Sequence, residues 1–529
     1  MELEQVKDNT WVLKSWELIP VYRLDAHKCI LLDTGLVEQR EELQEALTNY
    51  GLEPVGVICS HAHIDHMGNV AYLKEKYGAK LAMSLGEAGH QMSYLGLNVT
   101  SYLLPPEDLE SWDAVKGTPC LADRIILPTE DHITFCGAEF DIVHTPGHTV
   151  DHICTRMRIP RKVVVGYWKS EEAQKQIATW ARVAAGVADA HNVRCLMFGM
   201  NMNNVAVTDG DRVEFEQRMG YHVDYYPVSS LMEYFKKVTD AEADALVEEY
   251  KKEYTIKIDE SGEEVYWEKV KNAAKAEIAL RRVLKDENAV AYTTNFDDLG
   301  DADIDDPNFC GFDQIPGLAS QRLMAEGYGF GAEGDWKTAC LFRTLWVMNQ
   351  GLEKGCSFLE DYTLNFAADR TSSLQSHMLE VCPLIATDKP KLEVHFLGIG
   401  IRKQQTARLV FTSKTGKGVK ATVVDLGNRF RLIASEVECI EPKAMPKLPV
   451  ASALWVPQPT FEIGAGAWIL AGGTHHSAFS YDITAEYWED FCEILGIEFV
   501  NIDKNTTISS FKQQLRNNEI YYMLNKALR

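Results

Sequence analysis

The sequence has few positive charges for its length. Of its 529 residues, 53 are Lys or Arg and 77 are Asp or Glu, so the formal net charge is −24. A nucleic-acid surface needs a basic face that binds phosphates, and this balance excludes nucleic acid as a partner. The remaining composition, 46% hydrophobic and 25% charged, is typical of globular proteins. The chain length predicts two to four domains.

Membrane-directing segments are also missing. No apolar run is long enough to span a bilayer, and the first five residues, MELEQ, are acidic and lack the apolar core of a signal peptide. The 12 cysteines include no Cys-x-x-Cys spacing, which favours reduced, mostly buried thiols. We therefore expect a cytoplasmic protein that has no membrane partner.

A dense group of metal-ligand residue types lies near the N-terminus. The sequence HAHIDH spans residues 61–66, after an apolar run at 55–59 that predicts a buried strand, and a helical pattern follows. The first two histidines alternate and can share one ion, whereas the aspartate and the last histidine can reach a second ion. Neutral imidazoles with one carboxylate suit zinc. The alternative is a solvated polar loop.

This group resembles the signature of the metallo-β-lactamase superfamily, His-x-His-x-Asp-His after a strand. A second element of that superfamily, HTPGHT, occupies residues 144–149, and Asp33 in the sequence LLDTG fits its early turn. The resemblance covers about residues 8–152 and implies a partial αβ sandwich. The first zinc site that it implies consists of His61, His63 and His148.

The resemblance ends before a second zinc site is complete. The superfamily has a bridging aspartate after a later strand, but here the apolar run 163–165 is followed by Gly166 and Tyr167. A counterpart of the final histidine is also missing, which leaves Asp65 and His66 as an incomplete site. Because the second half of the sandwich is not recognisable, one apolar sheet face is expected to be uncovered, at a cost of about 25 cal/mol per Å².

Strands and helices alternate beyond this segment. The run 163–165 predicts a strand, a helical pattern covers 171–190, and another strand ends at Phe198, which indicates an α/β domain. Residues 240–289 are helical and rich in charge, and 297–316 form a turn-rich acidic loop. Short apolar runs that predict an all-β barrel or sandwich lie at 394–397, 408–411, 421–424 and 430–433.

Four residues in this part have the types that a divalent-metal site needs: Glu333, Glu360, His377 and His476. Alone, each glutamate fits a surface position and His377 a core position, while His476, after Gly-Gly-Thr-His, fits a core or a ligand equally well. Together they suit one Mn²⁺-like ion with positions left for substrate oxygens. Two carboxylates can move protons from carbon and from a hydroxyl while a metal stabilises an ene-diolate. The set indicates aldose–ketose isomerisation, although the spacing alone leaves other uses open.

From about residue 152 to 529 the sequence resembles the L-arabinose isomerase family. The matching stretches are residues 204–211, 316–319, 327–330, 334–338, 377–383, 448–450, 467–473 and 518–522. The resemblance implies that the four residues bind Mn²⁺ and that Glu333 and Glu360 shuttle the protons. It also implies a pentose-sugar substrate, a role in arabinose catabolism and a homohexamer with sites at subunit interfaces.

The sequence departs from that family in two places. The family's Gly-Asp-Asn-Met-Arg is replaced by GMNMN at residues 199–203, which removes a charge pair. Most of the isomerase N-terminal domain, which contributes to a neighbouring subunit's sugar pocket, is replaced by the lactamase-like segment. We therefore expect a fusion that has a complete metal site and impaired sugar binding.

The predicted domains are a truncated metallo-β-lactamase-like domain (1–152), a remnant of the isomerase N-terminal α/β domain (153–203), a central Rossmann-like α/β domain (204–355) and a C-terminal all-β domain (356–529). The leading hypothesis is isomerisation of L-arabinose to L-ribulose with Mn²⁺. The alternatives are a Zn²⁺ hydrolase of an ester, lactone or thioester, and a catalytically dead fusion that serves in binding or assembly.

Overall fold

The chain forms two compact units, an N-terminal unit (Met1–Ile159) and a C-terminal unit (Pro160–Arg529). The computed structural model describes every residue except 8, 16–17, 94–117, 146–148, 150, 157–161, 259–261, 302–310, 368–370, 400–401, 443–444 and 528–529. Within the described part, none of the helices has the length and apolar character needed to cross a membrane.

The N-terminal unit is built on two sheets. Its strands are β1 (Glu2–Lys7), β2 (Thr10–Lys14), β3 (Leu18–Arg23), β4 (Lys28–Leu32), β5 (Glu53–Ile58), β6 (Lys80–Ser84), β7 (Arg124–Ile126), β8 (His132–Phe135), β9 (Ala138–His144) and β10 (Ile153–Arg156). Its helices are α1 (Arg40–Asn49), α2 (Ile64–Met67), α3 (Val70–Tyr77) and α4 (Leu85–Gln91). Strands β1 to β7 form one sheet in sequence order, and β10-β9-β8 form a second. Pairing is antiparallel from β1 to β4 and parallel from β4 to β7.

Both faces of the seven-stranded sheet are covered. Leu31 and Val57 face one side, where they pack with α1, α3 and α4. Ile30 and Ile58 face the other side and pack with the second sheet, including Phe140. The expectation of an uncovered face was wrong, because β8 and β9 supply alternating apolar residues that, together with Ile153, bury it.

The C-terminal unit begins with a parallel sheet. The helices of its first part are α5 (Glu171–Ala190), α6 (Arg212–Met219), α7 (Val228–Lys236), α8 (Asp240–Glu253), α9 (Glu263–Asp286), α10 (Phe296–Asp301), α11 (Gly317–Ala325) and α12 (Trp336–Met348). The strands are β11 (Arg194–Phe198), β12 (His222–Tyr226), β13 (Thr255–Ile256), β14 (Ala291–Thr294) and β15 (Gly329–Ala332). All neighbours in the order β12-β11-β14-β15 pair in parallel, so their carboxyl ends share one edge of the sheet.

Two sequence predictions for this region have opposite outcomes. Helix α5 is confirmed; it starts after Ser170, whose hydroxyl caps it by accepting a hydrogen bond from the N–H of Ala173 at 3.3 Å. The strand predicted at 163–165 is wrong, since these residues do not pair with any described strand and Val163 and Val165 are 75% and 85% exposed.

The rest of the unit is rich in strands. These are β16 (Cys356–Asn365), β17 (Ser372–Ser376), β18 (Lys391–Leu397), β19 (Gln404–Val410), β20 (Gly416–Asp425), β21 (Phe430–Ile440), β22 (Ala453–Pro457), β23 (His476–Ser480) and β24 (Glu498–Ile502). The helices are α13 (Phe461–Ala471), α14 (Ala485–Leu495) and α15 (Ile508–Ala527). The order β20-β23-β16-β17-β22-β21 closes on itself through a β20–β21 pairing and forms a barrel, to which β24 and the helices are added. The predicted strands at 421–424 and 430–433 lie in this barrel, whereas those at 394–397 and 408–411 belong to β18 and β19, which form a separate sheet with β13.

Candidate functional site

Glu333 lies directly after β15, at the carboxyl edge of the parallel sheet. Open α/β sheets bind ligands at this edge. The backbone of Glu333 has a φ of 61° and the next residue, Gly334, has a φ of 81°. A left-handed backbone is uncommon for a residue with a side chain, and such strain concentrates at functional sites.

Two adjacent histidines face the Glu333 carboxylate. Its Oε2 atom is 3.1 Å from Nε2 of His475 and 3.7 Å from Nε2 of His476. One ligand atom from each of these three residues lies within 4.8 Å of the others. His475 was not among the predicted ligands, but the structure places it closest to Glu333.

Glu360 and His377 come from neighbouring barrel strands. Glu360 in β16 lies opposite His476 in β23 on one side and opposite Ser376 in β17 on the other. His377 follows Ser376, and its ring centroid is 5.4 Å from that of His476. The fold therefore brings all four sequence-predicted residues to one place, although they lie as far apart in sequence as residues 333 and 476.

Buried carboxylates orient two of these histidines. His476 Nδ1 donates to Asp335 Oδ2 at 3.0 Å, and His377 Nδ1 donates to Glu380 Oε2 at 2.8 Å. The Nε2 atom of His476 is buried and has no hydrogen-bond partner within the described residues. A carboxylate that fixes one imidazole nitrogen and leaves the other available is characteristic of metal-binding histidines.

The electrostatics of the site favour a cation. Burial raises the pKa of Glu333, but its hydrogen bond with His475 and the charges of His377 and His476 outweigh this effect and lower the pKa to about 2. Burial lowers the pKa of His377, but the hydrogen bond to Glu380 and the surrounding carboxylates raise it to about 9. Anionic oxygens beside imidazoles therefore fit a divalent metal ion.

A second group of histidines lies in the N-terminal unit. The His61 ring centroid is 4.6 Å from that of His63, 4.1 Å from that of His66 and 4.9 Å from that of His152. His61 is buried in the turn between β5 and α2. The imidazoles thus gather at one point, as the HAHIDH motif predicts. His152 lies outside that motif, and the sequence did not predict that it joins this group.

The remaining predicted zinc ligands have mixed outcomes. His148 lies outside the described residues. We expected Asp65 and His66 to have no partner, but His66 Nδ1 is 2.9 Å from Asp33 Oδ2 and its Nε2 is 3.5 Å from Asp65 Oδ2. Asp33 also has a left-handed backbone, with a φ of 65°, and its carboxylate accepts a hydrogen bond from the Ser60 N–H at 2.7 Å.

Four family models match the chain. Those described as the L-arabinose isomerase N-terminal, central and C-terminal domains match residues 144–192, 194–351 and 355–498. The metallo-beta-lactamase superfamily model matches residues 19–166. The segment from 144 to 166 therefore matches both families.

The chain is also similar to several L-arabinose isomerases. That of Phocaeicola vulgatus is 69% identical over 379 residues, which cover 71% of this chain and 73% of the relative. That of Bacteroides thetaiotaomicron is 70% identical over 379 residues with the same coverage, and that of Tolumonas auensis is 48% identical over 372 residues, covering 70% and 72%. The chain belongs to the L-arabinose isomerase family.

Solved structures similar to the chain include metallo-β-lactamases. The subclass B3 enzyme of Bradyrhizobium japonicum is 21% identical and covers 29% of this chain and 55% of its own, with a TM-score of 0.24. Members of both families use metal ions, and the chain combines an N-terminal metallo-β-lactamase-like sheet region with the isomerase domains.

Three residues beside the candidate ligands were not predicted as ligands from the sequence, although His475 stands next to His476. His475, Asp335 and Glu380 lie in or beside stretches that match the family, but their types suit an ordinary surface or core position equally well. Asp335 also has a local role, because its side chain accepts a hydrogen bond from the N–H of Thr338 and caps α12. Its bond to His476 crosses 141 residues of sequence, so only the fold reveals it.

Proposed function

We propose that this chain isomerises L-arabinose to L-ribulose and that Mn²⁺ is its metal ion. The observation that carries the proposal is the convergence of Glu333, Glu360, His377 and His476 between the edge of the parallel sheet and the barrel. These two carboxylates and two imidazoles are assigned as the metal ligands, and His475 is a further candidate ligand.

The two glutamates are assigned to the proton transfers. Conversion of an aldose to a ketose moves a proton from C2 to C1 and another from the C2 oxygen to the C1 oxygen, through an ene-diol. Carboxylates on two sides of a sugar can carry out both transfers. A bound metal ion would polarise the sugar oxygens and so stabilise developing negative charge. Glu333 enters this chemistry as an anion because of its low pKa.

The assay is formation of L-ribulose from L-arabinose with added Mn²⁺. We expect Glu333→Ala and EDTA each to abolish product formation, because loss of a group that binds metal and moves protons raises the barrier by several kcal/mol, with ~1.4 kcal/mol per factor of ten. Glu353→Ala, at an exposed glutamate of the same unit, is the matched control and should keep full activity. Activity that survives Glu333→Ala would rule out this mechanism.

The assembly proposed for the chain follows from the same family. We assign residues 1–152 to a metallo-β-lactamase-like domain, 153–203 to the isomerase N-terminal domain, 204–355 to the central domain and 356–529 to the C-terminal domain. We also propose that the chain assembles as a homohexamer. Because residues 19–143 match the metallo-beta-lactamase superfamily model and none of the isomerase models, we expect sugar binding to be weaker than in full-length relatives while metal binding is retained.

A second candidate function is zinc-dependent hydrolysis of an ester, lactone or thioester. The imidazoles gathered around His61 support it. A site of His61, His63 and His148 would hold one zinc ion. Because Tyr167 stands where a bridging aspartate is needed, we rank this function below isomerisation.

A further inference from the structure

The turn that carries Glu333 has to be held in place by other parts of the protein. Glu333 and Gly334 have two consecutive left-handed conformations, with φ of 61° and 81°. Such a backbone persists only when its surroundings fix it. The carboxylate also stands at the end of a short strand, β15, so any relaxation of this turn would move the carboxylate.

Loop 199–203, which follows β11 in the same sheet, makes direct contact with this turn. The Asn201 side-chain amide donates to the Gly334 carbonyl oxygen at 2.8 Å and lies 3.2 Å from the Thr208 hydroxyl. The Met202 N–H donates to the Glu333 carbonyl oxygen at 3.2 Å. A Cβ at Gly334 would lie only 2.6 Å from the Asn201 Cα, so the two backbones pack without room for a side chain.

The loop is itself tied to the end of β14. The Asn295 amide donates to the Met200 carbonyl oxygen at 2.7 Å, and the Met200 N–H donates to Asp298 Oδ2 at 2.7 Å. The Gly334 N–H donates to the Thr294 carbonyl oxygen at 3.2 Å. Hydrogen bonds from the ends of β11 and β14 therefore surround the Glu333 turn.

We propose that Asn201 is a positioning residue that holds the Glu333 carboxylate in its metal-binding and proton-transfer position. This inference rests on the function proposed for Glu333. Asn201 acts through the Gly334 carbonyl, and Met200 and Met202 take part through backbone atoms alone. The Met200 side chain is 52% exposed, so the departure from the family sequence at position 200 leaves these contacts unchanged.

The test compares Asn201→Ala and Asn201→Asp with Asn203→Ala in the full-length protein. Asn201→Asp keeps the shape but lacks the amide donor, and Asn203 is an exposed asparagine of the same loop. Mn²⁺ affinity is measured by titration, followed by its electron paramagnetic resonance. Removal of a residue that orients a metal ligand typically lowers affinity or activity by about 10–100-fold. We expect that loss in Mn²⁺ affinity and kcat for both Asn201 variants, with KM for the sugar changed less than about twofold, and no change for Asn203→Ala.

Hydrogen exchange separates this inference from the proposed reaction. In the metal-free protein, the Met202 and Gly334 amides should exchange faster in both Asn201 variants than in the parent, while the amides of β16 should not change. This result would support the positioning role even if the parent forms no L-ribulose. Unchanged Mn²⁺ affinity and unchanged exchange in Asn201→Asp would overturn it, as would equal losses in Asn203→Ala. If Asn201→Ala fails to fold, Asn201→Asp carries the test.

Discussion

His377 and Glu380 lie side by side in the buried part of the candidate site, and in the proposed function their contact would make metal binding compete with a proton. Burial lowers the pKa of His377, but Glu380 and the nearby carboxylates raise it to about 9. A histidine must lose its proton before it binds a metal ion. At neutral pH the metal-free site therefore contains a protonated His377.

This competition predicts how Mn²⁺ affinity depends on pH. Below the pKa of His377, the metal ion has to displace the His377 proton, so the Mn²⁺ affinity should fall by up to about tenfold per pH unit between pH 8.5 and 7. The affinity should level off above pH 9. Titration with Mn²⁺ at several pH values measures this slope.

Glu380→Gln is the variant that checks the cause. It removes the carboxylate that raises the pKa of His377, so the pH at which affinity levels off should shift downward. An affinity that is independent of pH in the parent protein would contradict the argument. An affinity that levels off at the same pH in both proteins would show that Glu380 is not the cause.

At the residue scale, the sequence shows which residues have types suited to a metal site, but it does not show which of them are in contact. The residue types at Glu333, Glu360, His377 and His476 suit a metal ion. The resemblance of the surrounding sequence to the L-arabinose isomerase family is what singled them out. The bond between His475 and Glu333 joins residues 142 positions apart. No local pattern records such a pair, because the fold alone brings the two chain segments together.

At the scale of secondary-structure elements, the second sheet of the N-terminal unit is the clearest difference between the sequence prediction and the structure. Phe140 in β9 is 2% exposed, and its ring packs edge-on against Tyr22 with centroids 5.3 Å apart. Phe140 belongs to the apolar cluster that covers the sheet face predicted to be uncovered. The stability of the N-terminal unit should depend on this cover from β8 and β9.

We therefore predict that Phe140→Ala destabilises the N-terminal unit by about 3–5 kcal/mol, the usual cost of removing a buried phenylalanine. Hydrogen exchange during urea denaturation should show lost protection in β4 and β5 and unchanged protection in β11 and β14. Leu18→Ala, at a leucine that is 63% exposed in β3, should change stability by less than about 0.5 kcal/mol. Equal effects of the two substitutions would mean that the second sheet contributes little.

Local signals explain which elements the sequence predicts. Helix α5 has a capping serine and apolar residues at helical spacing, and both are read directly from the sequence. The run 163–165 has the composition of a buried strand, but a strand also needs neighbours that complete its backbone hydrogen bonds. Those neighbouring strands would come from the rest of the isomerase N-terminal domain. In this chain a metallo-β-lactamase-like segment replaces that part of the domain.

At the scale of the whole molecule, two sets of candidate metal ligands lie in separate units. The set around Glu333 belongs entirely to the C-terminal unit, and the set around His61 belongs entirely to the N-terminal unit. Each set should therefore gain or lose its ion without affecting the other.

We predict that the purified protein binds one Mn²⁺ and at most one weakly held Zn²⁺. Elemental analysis after dialysis should show loss of manganese alone in His476→Ala and loss of zinc alone in His61→Ala. Loss of both metals in either variant would contradict independent sites. Hydrolysis of an ester or lactone that disappears in His61→Ala would instead make zinc-dependent hydrolysis the leading candidate function.

The position of Glu333 has a consequence for stability. It extends from the edge of the parallel sheet, whereas Glu360 and His476 belong to barrel strands. An ion bound by all three is a cross-link between two layers, and a ligand that binds only the folded form adds about 2.7 kcal/mol to the free energy of unfolding at a hundred times its dissociation constant. The free concentration of the metal ion would then set the fraction of the protein that is folded, as well as its activity.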